Sequence, residues 1–93
     1  MDIEEITMNY EDEEGKLVVK ELDKFILSKG AWSTIMFLYQ NLNKRTGEYS
    51  EPMVRIARYK KSGDFYRLQS KFNISSKAQA LKIISKLQEW YKE

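Results

Sequence analysis

Apolar and polar residues alternate through residues 53–61 and again through residues 65–74, the period of two that is typical of β-strands. In the first segment Val54 and Ile56 fall on one side, and Arg55, Ala57 and Tyr59 on the other. Residues 60–64, Lys-Lys-Ser-Gly-Asp, predict a tight turn between the two segments. We therefore expect an antiparallel hairpin.

The second strand of this hairpin divides in the same way. The alternation predicts one face with Tyr66, Leu68, Phe72 and Ile74, and a second face with Phe65, Arg67, Gln69, Lys71 and Asn73. With Arg55 and Tyr59 added from the first strand, this second face is basic and aromatic. An open sheet face of this composition is a candidate binding surface.

Two earlier segments complete the predicted sheet. Residues 16–29 mix β-branched, apolar and charged residues without glycine or proline, which predicts an extended segment with a kink. Residues 31–43 are ambiguous, because Trp32, Ile35 and Tyr39 fit helical spacing whereas the β-branched and aromatic content favours a strand. A long exposed turn is expected over 43–52. The strand predicted after this turn needs a hairpin partner, which favours a strand for residues 31–43.

The C-terminal segment predicts the one helix. Ser76 with Gln79 has capping-box spacing, Ser75 is a competing cap, and no breaker follows before Tyr91. Apolar residues fill about half of the helix circumference, more than the roughly 100° stripe needed to cover one sheet. The helix is therefore expected to touch its own sheet and, by hypothesis, the same helix of a second subunit. The predicted dimer interface contains Ile83, Leu87, Trp90 and Tyr91.

These elements predict an α+β fold of order β-β-β-β-α, in which a four-stranded curved antiparallel sheet is followed by a C-terminal helix. Residues 1–15 carry seven acids and no base, whereas the other 78 residues have a net charge of +9. We expect an acidic flexible arm over 1–15 and a single domain over 16–93. By hypothesis, the acidic charge of the arm competes with phosphates for the basic face.

Composition bounds the chemistry. The chain has no cysteine and no histidine, which excludes disulfides and removes the commonest metal ligand and proton shuttle. The clustered acids at 11–14 do not follow a metal-binding pattern, and no glycine-rich phosphate loop is present. We expect no catalytic residues, no metal and no cofactor. With no apolar run near the roughly 20 residues that span a bilayer, we also expect a soluble, cytoplasmic protein without membrane contact.

An acidic segment beside a basic, aromatic body is typical of a protein that handles a polyanion. Single strands suit such a sheet better than duplex does, because unpaired bases expose faces that stack on aromatic rings while Lys and Arg follow the phosphates. Trp32, Phe37, Tyr39, Phe72, Trp90 and Tyr91 are more typical of a core or an interface than of a stacking site. The predicted nucleic-acid-binding residues are Arg55, Arg58, Tyr59, Lys60, Lys61, Phe65, Arg67 and Lys71.

The order of elements, the strand Val-Arg-Ile-Ala-Arg-Tyr at 54–59 and the segment Ser-Lys-Phe-Asn-Ile-Ser-Ser at 70–76 together resemble the transcriptional positive cofactor 4 family, over about residues 17–91. The resemblance implies a homodimer paired through its helices, with curved sheets that bind single-stranded DNA with little sequence preference. At matching positions it implies roles for Trp32, Arg55, Tyr59 and Lys71, and for the turn residues Lys60 and Lys61. The chain departs from the family at Phe72, where glycine is usual, and in the length of the loop at 43–52.

Two functions of different classes remain open at this point. The first is single-stranded DNA binding in transcription, replication or repair, with RNA as the alternative polymer, since stacking and phosphate contacts do not distinguish the sugars. The second is a dimeric protein-interaction module in which the basic residues only maintain solubility. Competition between single strands and duplex distinguishes the two.

Overall fold

The structure is a computed structural model, and it describes residues 1–92. It is an α+β fold in which a curled antiparallel sheet precedes one C-terminal helix. The strands are β1 (Tyr10–Glu11), β2 (Leu17–Ser28), β3 (Trp32–Asn43), β4 (Glu48–Tyr49), β5 (Met53–Ser62) and β6 (Phe65–Ile74), and helix α1 spans Lys77–Trp90. The sheet order is β1-β2-β3-β5-β6, with β4 paired to β3. The sheet therefore has six strands, not the predicted four, because β1 and β4, of two residues each, also pair with their neighbours.

Strand β3 lies in the middle of the sheet, which resolves the ambiguity of residues 31–43 in favour of a strand. Its side chains alternate between buried Ser33, Ile35, Phe37 and Tyr39 and partly exposed residues between them. The buried set defines one face of the sheet, called here the arm face because residues 1–9 lie across it. The opposite face, which carries Trp32, Met36 and Leu38, is called the Trp32 face.

The N-terminal segment is part of the hydrophobic core. The side chains of Ile3 and Ile6 are buried against Ile35, Phe37 and Ala57 on the arm face. A 3₁₀ turn at Ile3–Glu5 presents both isoleucines to the sheet. The sequence predicts a flexible arm for residues 1–15. In the structure, Ile3 and Ile6 of this segment, three residues apart, pack instead against the sheet. The acids between them stay exposed.

A lysine on β2 fastens this segment to the sheet. The Lys24 Nζ atom donates hydrogen bonds to the backbone carbonyls of Glu4 and Ile6, the second at 2.7 Å. The Glu21 carboxylate accepts from the Thr7 hydroxyl at 2.9 Å and from the Met8 N–H at 3.0 Å. In a free arm these backbone groups would hydrogen-bond to water. Here they hydrogen-bond to side chains of β2 instead.

The β5–β6 hairpin closes with a two-residue turn at Gly63 and Asp64, and β5 continues as far as Ser62. The expected turn over 60–64 is therefore shorter than predicted. Gly63 has a φ of +62°, a conformation that glycine adopts without steric cost and that suits the twist of a two-residue hairpin.

A β-bulge changes which β6 residues share a face. Arg58 pairs with Ser70 and Tyr59 with Leu68, so that Gln69 has no partner. One extra residue reverses the alternation on either side of it. The prediction that Leu68 and Phe72 share a face is consequently wrong: Leu68 lies on the arm face and Phe72 on the Trp32 face.

Helix α1 begins as predicted, because the Ser76 hydroxyl accepts a hydrogen bond from the Gln79 N–H at 3.1 Å. The Gln79 side chain returns to Ser75, whose N–H it accepts at 2.8 Å. The helix lies beside β6 and none of its residues is buried. The expectation that it covers a sheet face is not met within one chain.

The chain consequently exposes an unusually large surface. Its extents are 51 × 38 × 17 Å, and its radius of gyration is 15.3 Å, compared with about 12 Å for a compact domain of this length. Its accessible surface is 7230 Å², about 1,600 Å² more than size scaling gives for a folded monomer of this mass. The exposed large apolar side chains include Leu81, Ile84, Leu87 and Trp90 on α1 and Trp32, Phe65 and Phe72 on the Trp32 face.

Candidate nucleic-acid interface

The β5–β6 hairpin concentrates positive charge. Its 22 residues include six bases and a single acid, Asp64, for a formal charge of +5. The bases are Arg55, Arg58, Lys60, Lys61, Arg67 and Lys71. Across residues 1–92 the ion pairs are Lys29–Glu4, Lys44–Asp12 and Lys86–Glu89, and none of them involves a hairpin base. The hairpin charge is thus not neutralised by carboxylates of the described chain.

The hairpin bases are divided between the two faces of the sheet. Arg55, Tyr59, Lys61 and Lys71 lie on the arm face, whereas Arg58, Lys60, Phe65 and Arg67 lie on the Trp32 face. The sequence predicts a single face shared by Arg55, Phe65, Arg67 and Lys71, and this prediction is wrong. The bulge at Gln69 causes the difference. It places Phe65 and Arg67, which precede it, on the face opposite to Lys71, which follows it.

The Trp32 side chain lies next to one of these two groups. The register places Trp32 opposite Lys60, and Lys60 opposite Arg67, so that one row crosses three strands. The Arg58 Cζ atom lies 4.7 Å from the centroid of the indole ring and the Lys60 Nζ atom 5.3 Å from it. These contacts hold two cations beside an aromatic ring. We call Trp32, Arg58, Lys60 and Arg67 the Trp32 cluster.

The Trp32 cluster is accessible to a ligand. The Trp32 side chain is 44% exposed, although an aromatic at this position is more typical of a core, and the three bases are exposed. Phe65, at the tip of the hairpin on the same face, is 67% exposed. Exposed aromatic faces and unpaired cations within one row are the elements that stack an unpaired base and bind the adjoining phosphate.

The arm-face group is more strongly tied to its neighbours. The Arg55 Nε–H donates to the Asn73 side-chain oxygen at 2.7 Å, and the Arg55 Cζ atom lies 5.5 Å from the centroid of the Tyr39 ring. Tyr59 packs against the core, and burial raises the pKa of its phenol. Lys71 is exposed. Of the residues implied by the family resemblance, Arg55, Tyr59 and Lys71 therefore lie on the face opposite to Trp32.

The acids of residues 1–15 neutralise bases outside the hairpin. The Glu4 carboxylate lies 2.9 Å from the Lys29 Nζ atom, and this hydrogen bond lowers the pKa of Glu4 and raises that of Lys29. Asp12 lies 3.0 Å from the Lys44 Nζ atom. The Lys16 backbone N–H is the main cause of the lowered pKa of Asp12, followed by Lys44. These two acids of the segment therefore pair with Lys29 and Lys44 and not with bases of the hairpin.

Two neighbours of the cluster escape sequence analysis. Thr34 and Ser70 lie on either side of Arg58 in the adjacent row of the Trp32 face. Their hydroxyls are additional hydrogen-bond groups beside the cations. Neither residue type stands out in a sequence, and only the pairing register, including the bulge, brings them next to Arg58.

Two rows of the Trp32 face are mainly apolar across β3, β5 and β6. Met36 pairs with Ile56 and Ile56 with Phe72, and the next row contains Leu38, Val54 and Ile74. On α1, the predicted interface residue Ile83 is half-buried, Leu87 is exposed, and Trp90 and Tyr91 are 71% and 80% exposed. A groove of about 540 Å³ separates the start of α1 from the end of the sheet.

Comparisons with protein-family models, curated proteins and solved structures find no match to this chain. Within residues 1–92, the only helix of more than three residues is too short and too polar to cross a membrane. Across the same residues, no three acidic, cysteine or histidine side chains are grouped so as to hold a metal ion.

Proposed function

We propose that this chain is a non-enzymatic single-stranded DNA-binding protein with little sequence preference, which acts in transcription, replication or repair. It binds through the Trp32 cluster of the sheet. The proposal includes the resemblance to the transcriptional positive cofactor 4 family and the homodimer that this resemblance implies. The observation that carries it is an exposed tryptophan with Arg58 and Lys60 beside its ring, none of them engaged by a carboxylate.

Single strands fit this surface better than duplex. Stacking on an aromatic ring contributes about 1–3 kcal/mol per base and requires a base whose face is free. The phosphates on either side of a stacked base lie within reach of cations in the same row. In duplex the base faces are hidden, and only phosphate contacts would remain. The surface has few groups aimed at base edges, which is the basis for low sequence preference.

The homodimer is supported by surface area. Each chain exposes about 1,600 Å² beyond the expectation for a monomer, whereas an interface of standard size buries about 800 Å² on each partner. Pairing of two chains through α1 would cover the exposed apolar residues of the helix. This leaves the Trp32 cluster free, because the cluster lies at the hairpin end of the sheet and α1 follows the opposite end of β6.

Fluorescence anisotropy of a labelled DNA strand of about 20 nucleotides tests this proposal. We expect unlabelled single strands to displace the probe at much lower concentration than duplex. The variant R58A/K60A should bind more weakly, while K16A/R45A, which removes the same charge from exposed positions outside the hairpin and α1, should bind as wild type does. Equal competition by duplex would instead favour the hairpin as a basic β-ribbon for a major groove. Equal losses in both variants would mean non-specific charge attraction.

RNA and protein partners are the other outcomes of the same assay. An RNA strand of equal sequence that competes better than DNA would reassign the polymer, since contacts to the 2′-hydroxyl are what distinguish the two. Absence of binding to any strand at low salt would favour the protein-interaction module, because the exposed apolar surface would then be the main feature left to explain.

A further inference from the structure

We infer that Trp90 of a second copy of this chain fills the groove between α1 and the sheet, so that the two α1 helices pair antiparallel. The inference rests on the homodimer of the proposed function and adds the contact that holds it. It follows from the position of the groove, the position of the exposed aromatics on α1 and the symmetry of a pair of identical helices.

The groove lies where α1 begins. Its apolar lining consists of Pro52, Met53, Val54, Ile74 and Ala80. Polar lining comes from the segment around Ser50 and from the helix cap. Val54 and Ile74 are neighbours in the last apolar row of the Trp32 face, so the groove continues the apolar surface of the sheet. Its volume of about 540 Å³ is sufficient for a large aromatic side chain.

The exposed aromatics lie at the opposite end of the same helix. Trp90 is the last residue of α1, and Tyr91 follows it. With 14 residues the helix is about 21 Å long. Within its own chain Trp90 is therefore separated from the groove by nearly the whole helix. Among the cation–aromatic contacts of residues 1–92, Trp90 takes part in one. In that contact the Lys86 Nζ atom lies 5.9 Å from the centroid of the Trp90 ring.

Twofold symmetry brings the two ends together. In a closed dimer each residue pair occurs twice, with the roles exchanged. If the axis passes between Ile83 and Ile84, antiparallel helices place Leu87 opposite Ala80 of the second copy, and Trp90 opposite its Lys77. Ala80 and Lys77 both line the groove. This axis lies midway between Ala80 and Leu87, two apolar residues of α1.

Surface area favours a second copy over an unrelated partner. The excess of about 1,600 Å² per chain exceeds the roughly 800 Å² per partner of a standard interface. One chain also presents both halves of the contact, a groove and an aromatic side chain, at positions that antiparallel pairing superimposes. An unrelated partner would need to supply both shapes by itself.

Engineered cysteines test the contact, because the native chain has none and gives no background. We would mix Val54→Cys with Tyr91→Cys, which leaves Trp90 in place, and oxidise mildly. The expected product is a disulfide-linked pair of chains. The matched control replaces Val54→Cys with Ser85→Cys, at an exposed position of α1 that does not line the groove, and should give little linked product. A second pair, Pro52→Cys with Tyr91→Cys, keeps the test valid if Val54→Cys does not fold.

Tryptophan fluorescence gives an independent readout. The chain has two tryptophans, so W32F leaves Trp90 as the only emitter. Its emission should shift to shorter wavelength over the concentration range in which light scattering detects dimer. A dimer with water-like Trp90 emission and no linked product would overturn the groove contact and leave the homodimer intact. A monomer at all concentrations would overturn both, whereas DNA binding is decided separately by anisotropy.

Discussion

Residues 1–9 pack across the sheet, and we therefore predict that a core substitution in this segment lowers the free energy of unfolding. The Ile3 side chain is 1% exposed and is among the largest fully buried side chains of the protein. Ile3→Ala leaves a cavity between the 3₁₀ turn and the arm face, next to Ile35 and Phe37. Substitutions of this kind cost about 2–5 kcal/mol, from lost transfer free energy and from the cavity. A domain of this length has about 5–14 kcal/mol in total, so the effect is large.

Urea unfolding at fixed protein concentration measures this loss, with far-ultraviolet circular dichroism as the signal. We expect a lower midpoint for Ile3→Ala and a change of less than about 0.5 kcal/mol for Tyr10→Ala, a control in the same segment whose side chain is 64% exposed. The folded Ile3→Ala protein should keep its affinity for single strands, because the nearby acids pair with Lys29 and Lys44 rather than with the hairpin. Equal stability of both variants would refute the packing, and tighter DNA binding would show that the segment competes for the basic surface.

Three further substitutions have defined outcomes. Glu4→Gln removes a carboxylate whose folded-state pKa lies below its ordinary value of 4.5. The stability this group contributes is present above that value and is lost as pH falls through the lowered pKa, so the melting temperatures of variant and wild type should approach each other as pH falls below 4.5. Ser76→Ala should lower the free energy of unfolding by about 1 kcal/mol in a urea titration through loss of the cap on the Gln79 N–H, and unchanged stability would mean that the cap is redundant. Gly63→Ala should cost about 1–2 kcal/mol in the same titration because its φ of +62° is unfavourable for residues with a side chain; a neutral result would show that the turn can change conformation.

The long elements could be predicted from the sequence because each has a strong local signal. Alternation identified β5 and β6, and the Ser76–Gln79 pair identified the start of α1. The strand over 31–43 required one non-local argument, the need of β5 for a hairpin partner. Of the six aromatics predicted to be core or interface residues, Phe37 and Tyr39 are buried, whereas Trp32, Phe72, Trp90 and Tyr91 are exposed in the single chain.

The candidate site could be predicted only as a set of residues. A β-bulge depends on how two strands pair, and no residue near Gln69 signals it in the sequence. Its effect is to separate Arg67 from Lys71 and to place Arg67 on the Trp32 face, where the β3–β5 register already holds Arg58 and Lys60 beside Trp32. The buried segment at Ile3 and Ile6 is missed for a related reason, since its acids dominate composition while two isoleucines on one turn decide its packing.

The salt dependence of single-strand affinity tests whether the Trp32 cluster is the surface that binds the strand. For single strands the slope of log affinity against log salt is about −0.7 for each neutralised phosphate. If the Trp32 cluster is the binding surface, R58A/K60A should reduce the steepness of the slope by about 1.4, and R55A/K71A on the opposite face should leave it nearly unchanged. A reversed result would place the strand on the arm face. Wild-type protein that does not bind single strands at low salt would contradict the proposed function itself.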